Sequence, residues 1–334
     1  MDIRFAVLFL VLGAGVAEAQ KADSVYLRNG DRITGEVKSL RRGLLTYSTD
    51  DLGTITIEWD KVDRISTRTV VEVRLPSGEK FYGSLELGAP GQVVLGGDTL
   101  RLADIVMMAP IEGQLLARLN GYVDLGFSFQ KANTTTQLTS GARLAYRGPK
   151  AEAALELTTF VEDREDTEHT TRLSTSFTQR FFLGNRWSTG FVVGYDRNDE
   201  LDLAGRERLV GFGTRMVAES NHIEFLASAG LVLTRERYFS TDSSTTGFEG
   251  LLSAAFRAFR YDAPKLDASL TTSAFPSFTI GGRIRLQTDL RVSYELISDF
   301  MVTASLFDTF DNKPPSEVAS KHDYGTTLAI TWTY

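Results

Sequence analysis

Chemistry at a protein site needs a nucleophile, a base or a set of ligands, and this chain of 334 residues is poor in all three. It has no cysteine, which excludes disulfides, thiolate metal sites, iron–sulfur clusters and cysteine nucleophiles. Its three histidines, His169, His222 and His322, leave little for a histidine-based metal centre. A general base must sit within hydrogen-bond reach of its nucleophile and is usually oriented by a third group. Ser174 near His169 and Ser320 near His322 are the candidate nucleophiles. No local spacing demands either pair, and solvated loop histidines account for all three. There is no P-loop, no HExxH and no EF-hand calcium loop. Asp163, Glu165, Asp166 and Glu168 could touch a divalent cation weakly, but a solvated loop uses the same residues. No catalytic residue, metal or cofactor is expected.

The elements that would position such residues come next. Asp and Glu outnumber Lys and Arg by 43 to 36, for a net charge of −7, which argues against a nucleic-acid surface. Met1–Asp2–Ile3–Arg4 precedes an apolar run from Phe5 to Ala17, and Ala17–Glu18–Ala19 offers a small–x–small cleavage pattern. Residues 1–19 therefore read as a secretory signal, with Gln20 the new N-terminus. No apolar run is long enough for a membrane helix, but a membrane β-barrel needs none, because its strands alternate.

Residues 20–113 contain a repeat, at about 22–66 and 70–112. Val25–Tyr26–Leu27–Arg28–Asn29–Gly30–Asp31 returns as Val73–Arg74–Leu75–Pro76–Ser77–Gly78–Glu79. Asn29–Gly30 and Ser77–Gly78 suit tight hairpins, and Gly35 and Gly83 suit bends or bulges. Each copy closes on an acidic–apolar segment, Trp59–Asp60–Lys61–Val62 or Leu102–Ala103–Asp104–Ile105. The element pattern resembles a small SH3-like or Sm-like barrel. A duplicated small β domain is expected, as a periplasmic scaffold or as a module that binds a peptide or glycan.

From residue 114 to 334 the period is two. Leu286, Thr288, Leu290, Val292, Tyr294 and Leu296 alternate with Arg285, Gln287, Asp289, Arg291, Ser293 and Glu295. Runs this long exceed an ordinary soluble strand and match a tilted membrane-spanning one. Twelve are expected, near 117–130, 136–147, 151–162, 169–182, 187–196, 206–217, 223–236, 247–260, 265–275, 283–296, 300–310 and 323–334. Connections after even-numbered strands are tight, whereas several others, 162–168, 197–205, 237–245 and 311–322, are long and polar. The fold class is all-β: a transmembrane antiparallel β-barrel of about 12 strands, closed so that no edge is exposed, after an N-terminal small β-barrel-like domain.

If the apolar phase faces lipid, the inward charges are Asp124, Arg143, Arg147, Glu156, Arg172, Arg180, Arg215, Glu224, Glu236, Glu249, Arg257, Asp267, Arg285, Asp289, Arg291 and Glu295. Bases and acids are equal in number. Ion pairs filling a narrow lumen follow from that balance, since a single-sign ladder would be needed for an ion-selective pore.

The last strand ends on Tyr324, Leu328, Ile330, Trp332 and Tyr334, an alternating run with a terminal aromatic. It resembles the assembly signal of exported barrels in Gram-negative outer membranes, which the barrel assembly machinery reads. The region from about Leu119 to Tyr334 also resembles the salt-induced outer-membrane protein family, domain of unknown function 481. That resemblance implies an outer-membrane location, outer-membrane lipids and the assembly machinery as partners, and a link to salt stress. It implies no catalytic motif. The functional expectation is a structural or envelope-stress role with passive passage of small solutes as an accompaniment. A lipid hydrolase is the alternative, since one outer-membrane phospholipase family is similar in strand count alone. No nucleic-acid partner is expected, and a periplasmic partner could bind through residues 20–113.

Overall fold

The computed structural model describes residues 22–111, 118–131, 134–164, 169–313 and 321–332. The leader, Glu165, Asp166, Glu168, Ser320 and Tyr334 lie outside them.

The repeat in the first part becomes a repeat of elements. The first copy is β1 (Asp23–Leu27), β2 (Arg32–Arg41), β3 (Leu44–Ser48), β4 (Thr54–Glu58), a 3₁₀ turn at Trp59–Lys61, and β5 (Val62–Ser66). The second is β6 (Val71–Arg74), β7 (Lys80–Gly83), β8 (Leu85–Leu87), β9 (Gln92–Leu95), β10 (Asp98–Arg101), a 3₁₀ turn at Leu102–Asp104, and β11 (Met107–Pro110). Strands β7 and β8, broken after Gly83, stand where β2 runs on. The hairpin turns match in detail. The Asn29 side chain accepts from the Asp31 amide at 3.0 Å, and the Ser77 hydroxyl accepts from the Glu79 amide at 3.3 Å. Gly30 and Gly78 take φ of +95° and +87°, a region glycine enters without steric cost. Each 3₁₀ turn is tied to the glycine turn of its own copy, Trp59 N to Gly43 O at 2.8 Å and Leu102 N to Gly91 O at 2.9 Å.

The two copies share one interior. Strand β11 pairs with β6 of its own copy and with β2 of the other. The Trp59 indole donates to Leu102 O at 2.7 Å, and one cluster of buried side chains runs from Val25, Leu40 and Tyr47 to Val73, Leu85 and Met108. Buried Asp23 knits the start of the chain into this core. Its carboxylate accepts from the amides of Val37 (2.9 Å) and Arg68 (2.8 Å), and the Tyr47 hydroxyl donates to its carbonyl at 2.7 Å.

The second part is a single meander of twelve antiparallel strands. They are β12 (Leu119–Gln130), β13 (Thr135–Arg147), β14 (Ala151–Arg164), β15 (Thr170–Gly184), β16 (Trp187–Asn198), β17 (Leu203–Glu219), β18 (Ile223–Tyr238), β19 (Thr241–Arg260), β20 (Leu266–Pro276), β21 (Ile284–Ile297), β22 (Phe300–Asp311) and β23 (His322–Trp332). All twelve expected runs are strands. The short connections at 148–150, 185–186, 220–222, 261–265 and 298–299 share the end of the sheet that faces the N-terminal domain. At the opposite end one expected long loop is absent. Residues 237–245 are mostly strand, with the turn reduced to Phe239–Ser240, where the Ser240 amide donates to the Asp202 carboxylate at 3.1 Å. Polar residues there extend the ladder because backbone pairing does not require apolar side chains.

Closure differs from expectation. No ladder joins β12 to β23 among the described residues, so the sheet is open along that seam. Nearly every residue of both strands is exposed, Gly126 and Gly325 excepted. Alternation decides which face a residue takes. It carries no information on whether first and last strands meet, which depends on the tilt and register accumulated across all the ladders. The Asp23 network yields a prediction. Asp23→Ala leaves two amides without their acceptor, each costing about 1–3 kcal/mol when buried, so urea unfolding of the N-terminal domain should shift to clearly lower denaturant.

Candidate functional site: the polar face and its junction with the N-terminal domain

The ladders fix which side chains share a face. Val123 pairs with Ala142, Leu144 with Leu155, Leu155 with Phe177, Phe177 with Val193 and Val193 with Leu209, and the large side chains of this apolar series are exposed. The other face carries Asp124, Arg143, Arg147, Glu156, Arg172, Arg180, Glu224, Glu236, Glu249, Arg257, Asp267, Arg285, Asp289, Arg291 and Glu295. Fifteen of the sixteen inward candidates are therefore on one surface.

Most of them are paired. Arg147 and Arg180 share the carboxylate of Glu152 at 2.6 and 3.0 Å, and Arg143 bonds Glu156. Arg206 bonds Glu236 at 2.7 Å, and Arg285 reaches across β20 to buried Glu249 at 2.5 Å. Arg172 bonds Glu200 in the connection beyond β16, and Lys265 sits 3.5 Å from Glu295. Asp124, Asp267, Asp289 and Arg291 make no ion pair among the described residues. The residues missed by sequence are mainly partners: Glu152, Asp196, Arg206, Arg208, Arg283 and Asp311. Arg208 lies 3.5 Å from Asp196 and Arg283 2.6 Å from Asp311. Glu152 was legible in principle, since it shares the phase of Glu156. Four phenylalanines also occupy this face, each under a guanidinium: Phe160 under Arg172, Phe182 under Arg147, Phe212 under Arg180 and Phe275 under Arg285, at 5.0–5.8 Å. Such stacking stabilises a cation without a carboxylate.

Arg215 is the exception. It pairs with Trp187 on the apolar face, in phase with Leu209, and its guanidinium lies 5.4 Å from the Trp187 ring centre. The cause is the composition of β17. Val210 and Phe212 point to the polar face while Gly211 and Gly213 occupy the apolar one, which inverts the apparent phase. Arg206 and Arg208 take the inward positions instead.

The N-terminal domain seats on the short turns. Arg74 bonds Glu219 at 2.5 Å, Arg42 bonds Glu224 at 3.1 Å, and Lys61 bonds Asp262. The Asn221 side chain donates to the carbonyls of Ala103 and Ile105 at 3.2 and 3.0 Å. Gly43 and Gly78 approach so closely that a Cβ on either would lie 2.8 Å from Asn221 or Arg186. Glu58, Asp60 and Asp262 form an acidic trio, but the ammonium of Lys61 lies within 4 Å of all three. That hydrogen bond holds the Asp262 carboxyl below the usual carboxylate range, whereas burial pushes Glu58 up.

The remaining candidates are dispersed. Ser174 donates to Asp196 at 2.7 Å, and His322 Nε2 lies 2.6 Å from Asp308 on the apolar face of the edge strand pair. His222 lies in the 220–222 turn at the domain junction. Of the terminal signal, Tyr324, Leu328, Ile330 and Trp332 share the exposed apolar face of β23.

Residues 123–333, more than half of the chain, match a family described as a protein of unknown function, DUF481. The chain belongs to the DUF481 family. The match spans all but the first residues of the twelve-stranded sheet and none of the N-terminal domain. No curated protein and no solved structure gives a significant match. The features of this DUF481 sheet that can be tested are thus its own pairs. Glu249→Gln should destabilise the fold because it leaves Arg285 facing a neutral partner on a largely buried site, an effect of about 3 kcal/mol at most. Replacing both by leucine should recover much of it, read as thermal unfolding of single and double variants.

Proposed function

We propose that this chain is an outer-membrane β-barrel protein of a Gram-negative bacterium with a structural or envelope-stress role, its N-terminal domain lying in the periplasm. The observation that carries this reading is the apolar face. Val123, Leu125, Phe127, Leu328 and Trp332 are each 69–74% exposed, and they continue across the sheet in register. A soluble sandwich would cover that face with a second sheet, and contiguous apolar surface of this extent needs an apolar partner. Lipid supplies it. Pairing of β12 with β23 would then satisfy the backbone groups that hydrocarbon cannot. Arg215 over Trp187 sits at the strand end, where a long basic side chain and an aromatic suit a membrane interface.

The polar face lines the interior in this reading. Its paired charges and stacked phenylalanines favour a filled structural interior, with passage of small solutes as an accompaniment. The outward side chains of the last strand are what the assembly machinery would read. Lipid hydrolysis is not part of the proposal.

Fractionation of the native host tests location: recovery in the soluble periplasm without heat-modifiable migration would overturn it. The phase has its own test. Leu328→Arg should cost about 2–4 kcal/mol if it lies near the bilayer midplane, and should impair assembly into lipid vesicles. Thr327→Arg, on the opposite face, should assemble. Equal assembly of both variants would refute the lipid-facing assignment.

A further inference from the structure

We infer that the hollow between the N-terminal domain and the first strands of the sheet is a binding site for a multivalent phosphate-type anion. The cavity measures about 860 Å³ and opens between β2, β6 and β11 on one side and β12–β15 on the other. That volume falls in the range of small-molecule sites. Six basic side chains line it, Lys38, Arg41, Arg118, Arg143, Arg147 and Arg180. Among the described residues only three acids face them, Glu72, Glu152 and Glu156. In a chain whose net charge is −7, a cavity with a twofold excess of bases is not the average composition repeated.

Pairing does not remove the excess, although Lys38 is held by Glu36 at 2.7 Å and Arg143 bonds Glu156. Glu152 serves two guanidiniums at once, and Glu72 is taken by Lys80 at 2.8 Å. Arg41 has no carboxylate within ion-pair distance among the described residues, and it lies near enough to Arg147 to repel it, as does Arg74. The Arg180 Nε is buried with no hydrogen-bond partner. Like charges gathered with too few counter-charges favour an incoming anion, and guanidinium forks match phosphate oxygens bidentately. The site draws on both parts of the molecule, so occupancy would strengthen their contact. The argument uses only the charges that line the hollow, whatever covers the apolar face of the sheet.

The test is calorimetric titration of the full-length mature protein in detergent at low ionic strength, with pyrophosphate as the probe and sodium chloride as the blank. Saturable one-site binding that weakens as salt is raised is expected. Arg41→Gln, an exposed strand-end change, should weaken it about tenfold or more, and Arg180→Gln should do likewise. Arg237→Gln, at the opposite end of the sheet, should leave it unchanged. Dihexanoyl phosphatidic acid in a parallel arm separates the sources. Affinity equal to that of pyrophosphate assigns a free solute, and much tighter binding assigns a lipid headgroup. Heat indistinguishable from chloride, an Arg41→Gln variant that binds like wild type, or equal loss in Arg237→Gln would overturn the proposal.

Discussion

Everything in the larger part of this molecule depends on one constraint: each backbone amide must find its carbonyl on a neighbouring strand. A ladder kept through twelve strands leaves side chains only two directions, so a residue's face is decided by parity. Because one parity is filled with Leu, Val and Phe and the other with Arg, Glu and Ser, the sheet has two chemically opposite surfaces. Bulges, among them those after Phe182, Asp196 and Met216, are where that parity is reset locally. A one-residue slip elsewhere would turn arginine onto the apolar face along an entire strand.

The polar surface manages its charge in two ways. Carboxylates neutralise most guanidiniums, as Glu249 does for Arg285. Where a carboxylate is shared, as Glu152 is, inward phenylalanines take part of the load by stacking, Phe182 with Arg147 and Phe212 with Arg180. These aromatics serve the polar face, which composition alone would assign to the other side.

How much of this was legible in the sequence follows from the range of the interactions. Strands β12–β23 were readable because alternation is local, and the N-terminal duplication because Asn29–Gly30 and Ser77–Gly78 repeat a turn that needs positive φ. The phase of β17 was misread because Val210 and Phe212 mimic the apolar face, so Arg215 fell on the wrong side. The pairing of β11 with β2, the reach of Arg285 to Glu249 and the open seam were not legible. Each joins residues far apart in sequence, or depends on geometry summed over many strands, and no short pattern encodes either.

The seating of the domain on the short turns has a consequence in the order of events. Within the sheet each ladder joins strands adjacent in sequence, so its contacts are local and form at little entropic cost. Arg74–Glu219 and Lys61–Asp262 instead close loops of 145 and 201 residues. Loop closure itself rises only slowly with length, about 0.6 kcal/mol per doubling, so distance is a minor obstacle. The stricter requirement is that Asn221 and Asp262 belong to turns, and a turn exists only once the strands on both sides of it have paired. These contacts can therefore form only after the hairpins that carry the 220–222 and 261–265 turns, and their presence certifies that those hairpins are complete.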